Sequence, residues 1–126
     1  MEIKKIYFDM DGVLADFDEG AMRLAGVDSS GYGKRPKSYD DYVYENLAKV
    51  ERFYDKLNPM KGALEMFSYL RKKYGDKCEI LTGIPKPYRN MPTAKEDKIS
   101  WVRRLLDKDI VVNVVYKEDT PKKTKH

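Results

Sequence analysis

The sequence predicts an α/β fold: a Rossmann-like parallel sheet with a small helical cap inserted after the first strand. Three observations lead there. Short β-branched or aromatic runs occur at residues 3–8, 78–81 and 110–116. The last two are each preceded by a segment whose apolar residues recur at helical spacing, and strands alternating with helices favour parallel pairing through right-handed crossovers. The stretch from about 18 to 57 shows no strand alternation and separates the first strand from the first crossover helix.

Each element has a local reason. Residues 3–8 read as a short buried strand, rich in Ile, Tyr and Phe and closed by Asp11-Gly12. In the insert, Gly26, Gly31, Gly33 and Pro36 punctuate the chain, and Tyr32, Tyr39, Tyr42, Tyr44, Phe53 and Tyr54 crowd together. Short helices and loops fit it, with 42–53 the best helical piece and Asn58-Pro59 its end. Ala63, Leu64, Met66, Phe67 and Leu70 mark a helix running to Tyr74, stopped by Gly75-Asp76. Residues 78–81 form the second strand, ending at Thr82-Gly83, and a loop with Pro85, Pro87 and Pro92 follows. Thr93 and Glu96 have the spacing of a capping box. Ile99, Val102, Leu105 and Leu106 give that helix its buried stripe, and 110–116 is the third strand.

Composition bounds the function. A chain of 126 residues suits one domain, with the core in 1–17 and 58–126 and the cap in 18–57. Lys and Arg number 25 against 21 Asp and Glu, a net charge of +4. That excess suits a partner bearing phosphate without pointing to nucleic acid. The single Cys78 excludes an internal disulfide and argues against a Cys-based zinc site. No apolar run approaches the roughly 18 residues of a membrane span, and the N-terminus lacks a signal-peptide pattern, so a cytoplasmic protein is expected.

The chemistry concentrates in "DMDGVLADF", residues 9–17. In parallel α/β sheets ligands bind beyond the carboxyl ends of the strands, where Asp9 and Asp11 fall. On extended backbone they share a face, and two close carboxylates need a cation or a shared proton. Oxygen-only donors favour Mg²⁺, and Gly12 allows a tight turn beside a bound anion. The plain alternative is that both acids are turn formers.

This motif resembles the first motif of the haloacid dehalogenase superfamily, whose members are mostly Mg²⁺-dependent phosphatases. The insert directly after it, "LNPMKGALEMFSYL" and "EDKISWVRRLL" resemble the 5'(3')-deoxyribonucleotidase branch, with a lysine three residues before a tryptophan. The resemblance implies that Asp9 is the nucleophile and Asp11 the general acid and base. It implies Mg²⁺ ligation by the Asp9 side chain and the Asp11 main-chain carbonyl. Thr82 matches the hydroxyl of the second motif, with Gly83 beside it, and Lys98 the cation of the third, ahead of Lys95. A small phosphorylated substrate follows, a nucleoside monophosphate in this branch, with Phe17 placed to stack on base or sugar. Lys86 and Arg89 are either further phosphate contacts or solvated charges. The remaining aromatics of the cap suit the core of a small helical lobe.

The superfamily's fourth motif, acids at the end of a later strand, has only Glu118 and Asp119 to match it here. Either Asp119 serves as the third acidic ligand or the chain stops before that motif, and the second is favoured because Glu118 and Asp119, next to Lys117, Thr120 and Pro121, read as an exposed turn. A different class of function, a non-catalytic phosphate or nucleic-acid binding module, rests on the basic balance and on Lys117, Lys122, Lys123 and Lys125.

Overall fold

The computed structural model describes residues 3–31 and 34–117. Its sheet has three parallel strands in the order β1 (Ile6–Phe8), β2 (Cys78–Ile84), β3 (Val111–Tyr116). The α-helices are α1 (Phe17–Gly20), α2 (Lys37–Leu47), α3 (Ala63–Tyr74) and α4 (Ala94–Leu105). The fold is therefore α/β with a Rossmann-like core, and helical structure lies between β1 and α3.

The central strand sets the register. Ile6 faces Cys78 and Phe8 faces Ile80, while Glu79 to Ile84 run beside Val111 to Tyr116. Pairing with β3 carries β2 past Leu81, so Thr82 and Gly83 lie inside the strand instead of ending it. The first strand is shorter than residues 3–8: only Phe8 is buried, and residues 3–5 are exposed. Side chains alternate across the sheet. Phe8, Cys78, Ile80 and Thr82 face the core, where Phe8 meets Phe67 of α3 edge to face at 5.0 Å. Tyr7, Leu81, Val111 and Val115 lie exposed on the other face.

The insert is stitched shut at its base. Asp16 donates its amide to Asn58 O (2.8 Å), and Met60 donates to Leu14 O (2.8 Å). Beyond that neck, α1 runs into a π-helical stretch (Ala21–Ala25) that ends at Gly26, whose φ of 70° a side chain would disfavour. The main helix lies earlier than 42–53. It starts right after Pro36, whose missing amide suits a helix start, and ends at Leu47. Arg52, at φ 56°, then turns the chain into a 3₁₀ turn (Phe53–Lys56). The aromatic cluster does build a core, but a shared one: Val43, Tyr44, Leu47, Phe53 and Tyr54 are buried in one continuous cluster with Phe8, Ile80 and Trp101.

Helix α4 departs from expectation twice. The capping box does not form: Thr93 sits at the N-cap without bonding a backbone amide, and its hydroxyl donates to Asp97 Oδ2 instead (2.7 Å). The buried stripe is Ala94, Asp97, Lys98, Trp101 and Val102, with Ile99, Leu105 and Leu106 only half-buried. The helix is rotated so that a lysine faces inward.

The turn from α4 into β3 hangs on Asp107. Its carboxylate takes Arg71 Nε of α3 (3.0 Å) and the amides of Asp109 and Ile110 (2.7 and 2.9 Å). The Arg71 bond first, then those amides, hold the Asp107 carboxyl below its usual range despite partial burial. Asp107→Ala is expected to cost about 1–2 kcal/mol at neutral pH. A carboxylate with a depressed folded pKa stabilises above its unfolded value of 3.8 and loses that contribution as pH falls through the folded one. Urea denaturation of wild type and variant should therefore converge below pH 3.8; a constant gap down to the acid transition would contradict this.

Candidate functional site

The loop after β1 is folded around one carbonyl. Met10 is fully buried, and its oxygen accepts the amides of Val13, Leu14 and Ala15 (3.1, 2.9 and 2.8 Å). Gly12 holds φ 80° within this turn and donates to Ala15 O (2.8 Å). Burying Met10 turns its neighbours Asp9 and Asp11 outward from the strand end. Asp9 is exposed, with Oδ1 fixed by the Met10 amide (2.8 Å).

Asp11 is the electrostatic centre. Its Oδ2 accepts from Lys98 Nζ (3.0 Å) and Lys117 Nζ (2.9 Å), while Oδ1 is buried with no hydrogen-bond partner. Burial raises the Asp11 pKa, but Lys117 and Lys98 outweigh it and hold the carboxyl below its usual range. Asp11 is ionised at neutral pH.

Lys98 is fully buried, and a buried ammonium is costly without partners. It has three: Asp11, Thr82 Oγ1 (2.8 Å) and the Gly83 carbonyl (2.7 Å). Its ammonium also lies 4.6 Å from the centre of the Tyr54 ring. Desolvation lowers its pKa to about 8, with Asp11 and Asp9 opposing the fall and Lys117 adding to it. Thr82, buried, accepts from Lys98 and so keeps its hydroxyl hydrogen for another acceptor. Asp9, Asp11, Thr82, Gly83 and Lys98 thus meet at one end of the sheet. Lys95 is exposed on α4 and outside the group.

Phe17 both packs and lines space. It lies against Phe53 (5.7 Å, edge to face) and Tyr54 (6.3 Å, stacked). It also borders a cavity of about 280 Å³ with Asp11, Asp16, Tyr44, Met60 and Lys117. Arg89 is neither solvated nor at the carboxylates. It is buried between Tyr44 and Tyr88 and bonds Asp41 (2.6 Å), fastening the loop after β2 to α2.

Lys117, grouped by sequence with the basic tail, is half-buried at the site. Its amide donates to Ile84 O (2.8 Å), one step beyond β3, and its side chain returns to Asp11. No local pattern distinguishes it; only the strand register places it. Glu118, Asp119, Lys122, Lys123 and Lys125 lie outside the described residues.

Mg²⁺ fits this site in kind. The exposed Asp9 carboxylate and the Asp11 main-chain carbonyl are hard oxygen donors at the end of β1. The set is small: among the described residues no group of three or more acids, histidines or cysteines could hold a metal. No helix of those residues is long and apolar enough to cross a membrane.

No protein-family model matches the chain. Over 103 residues, 82% of this chain, it is 34% identical to a protein of Vibrio phage KVP40 named "Putative 5'(3')-deoxyribonucleotidase". The match covers 51% of that protein, so the chain spans about half the length of the curated relative it matches.

Proposed function

We propose that this protein hydrolyses phosphomonoesters in the manner of the haloacid dehalogenase superfamily, with Mg²⁺ as cofactor and nucleoside monophosphates as substrates. The observation that carries the reading is Lys98: a fully buried ammonium bridging the carboxylate after β1 to the hydroxyl and carbonyl near the end of β2. A positive charge held dry beside two acids and a free hydroxyl hydrogen is an arrangement for an anion. The phage relative's name and the first-motif resemblance select phosphate esters of nucleosides among anions.

Asp9 acts as nucleophile. With Oδ1 held by the Met10 amide, its other oxygen attacks phosphorus, an O–P bond forms, and the ester P–O bond breaks. Thr82 donates to a phosphoryl oxygen, and Lys98 offsets the charge shared between phosphate and nucleophile. The Asp9 carboxylate and the Asp11 main-chain carbonyl would hold Mg²⁺, which would supply further neutralisation as one anion approaches another. In the second half, Asp11 takes a proton from water, whose oxygen attacks phosphorus, releasing phosphate and restoring Asp9.

Asp11 must also protonate the leaving alkoxide in the first half. In the free site two ammonium groups keep it ionised. An arriving phosphate draws on the same two cations and adds negative charge, and both effects raise the Asp11 pKa toward a usable acid.

A panel of nucleoside 5'- and 3'-monophosphates, with sugar phosphates as controls, tests the reading through Mg²⁺-dependent phosphate release. Turnover confined to nucleotides supports it. Preference for sugar phosphates keeps the chemistry but removes the substrate class. Salt-sensitive oligonucleotide binding without any turnover favours the binding module.

A further inference from the structure

Lys117 joins parts of the chain that are distant in sequence. Its backbone amide extends the β2–β3 ladder by one bond to Ile84 O. Its side chain then crosses Gly83, where an added Cβ would stand 2.8 Å from Lys117 Cγ. The missing side chain at Gly83 is the corridor through which the lysine reaches Asp11. At its end the ammonium is surrounded by the insert. It lies 5.3 Å from the Phe17 ring centre and 6.0 Å from those of Tyr44 and Tyr54, and 3.4 Å from the Tyr44 hydroxyl. Phe17 comes from α1, Tyr44 from α2 and Tyr54 from the 3₁₀ turn, so three segments of the insert converge on one charge. Aromatic faces attract an ammonium, more strongly where water is excluded.

The two ends of the insert are secured independently of this contact. The neck is closed by the backbone bonds between 14–16 and 58–60, and Asp55 is tied to Ser100 (3.0 Å) and Arg104 (2.8 Å) of α4. Helix α2 buries Val43, Tyr44 and Leu47 in the core, and polar contacts hold it on two sides: Arg89 with Asp41 on one, and Lys117 with Tyr44 on the other.

We propose that Lys117 is a positioning residue that latches the helical insert over the site, with Asp11 as its anchor in the core and the Phe17, Tyr44 and Tyr54 rings as the surfaces that close on it. The latch fixes how far α2 stands from the carboxylates and so the width of the cavity that Phe17 and Tyr44 line. It is separate from the hydrolase reading and is tested without substrate or metal.

Hydrogen exchange of the full chain distinguishes a latch from mere packing. Lys117→Met keeps the stem and removes the charge, and Gly83→Ala closes the corridor. Both are expected to speed amide exchange in α2 by about three- to tenfold while leaving α3 unchanged. Lys117→Arg, which retains a cation, should show a smaller increase. Unaltered exchange in α2, or an equal rise in α2 and α3, would overturn the proposal. If Lys117→Met does not fold, the Gly83→Ala comparison alone decides.

Discussion

Asp9→Asn is expected to lower phosphate release from nucleoside monophosphates by at least about a thousandfold, with little change in stability. The two halves of that result have separate causes. Asparagine keeps an oxygen that can accept the Met10 amide, so that hydrogen bond survives. Because Asp9 is exposed, its replacement disturbs no packing, and the denaturation midpoint should stay within about 0.5 kcal/mol of wild type. What asparagine lacks is the negative charge that attacks phosphorus. Steady-state phosphate release and urea denaturation of the same preparation separate the two. Near-normal activity would remove Asp9 as nucleophile, and joint loss of activity and folding would make it a structural residue.

Trp101→Ala is expected to be the most damaging change to the fold, costing about 3–5 kcal/mol. Trp101 is fully buried on α4, and its indole Nε1 donates to Leu57 O (2.7 Å), where the insert returns to the core. Alanine leaves a cavity and a carbonyl without its donor. Since small domains are stable by only about 5–15 kcal/mol, such a loss leaves much of the chain unfolded at moderate temperature. Trp101→Phe keeps most of the ring and loses the hydrogen bond, so it should cost about 1–2 kcal/mol. Thermal denaturation followed by circular dichroism would rank the pair; equal effects would place the whole cost in the hydrogen bond.

What could be read from the sequence was what local pattern encodes. The alternation of strands and helices follows from hydrophobic period and turn residues. Asp9, Asp11, Thr82 and Lys98 stand in fixed positions relative to strand ends and to Trp101, and the structure brings them together. The misses share a physical origin in tertiary contacts that no local pattern records. Thr93 and Glu96 have capping-box spacing, yet a bond to buried Asp97 draws the Thr93 hydroxyl away from the backbone. Apolar spacing on α4 points to Ile99, Leu105 and Leu106, whereas the helix also buries Asp97 and Lys98, the latter because its partners Asp11, Thr82 and Gly83 lie on other elements. Arg89 looks like a loop charge until Tyr44, Tyr88 and Asp41 are folded around it. Lys117 is the extreme case. Among lysines at the end of a chain it carries no local signal, and its place depends on the β2–β3 register and on a glycine 34 positions earlier.

The proposed hydrolysis requires a phosphoryl group to pass through the Asp9 carboxylate. Acid quenching of the protein with a ³²P-labelled deoxynucleoside monophosphate and Mg²⁺, followed by peptide mapping, tests it directly. Hydroxylamine-labile label is expected on the peptide containing Asp9 and none in Asp9→Asn. Label on a different peptide, or phosphate release with no label in the wild-type protein, would contradict it.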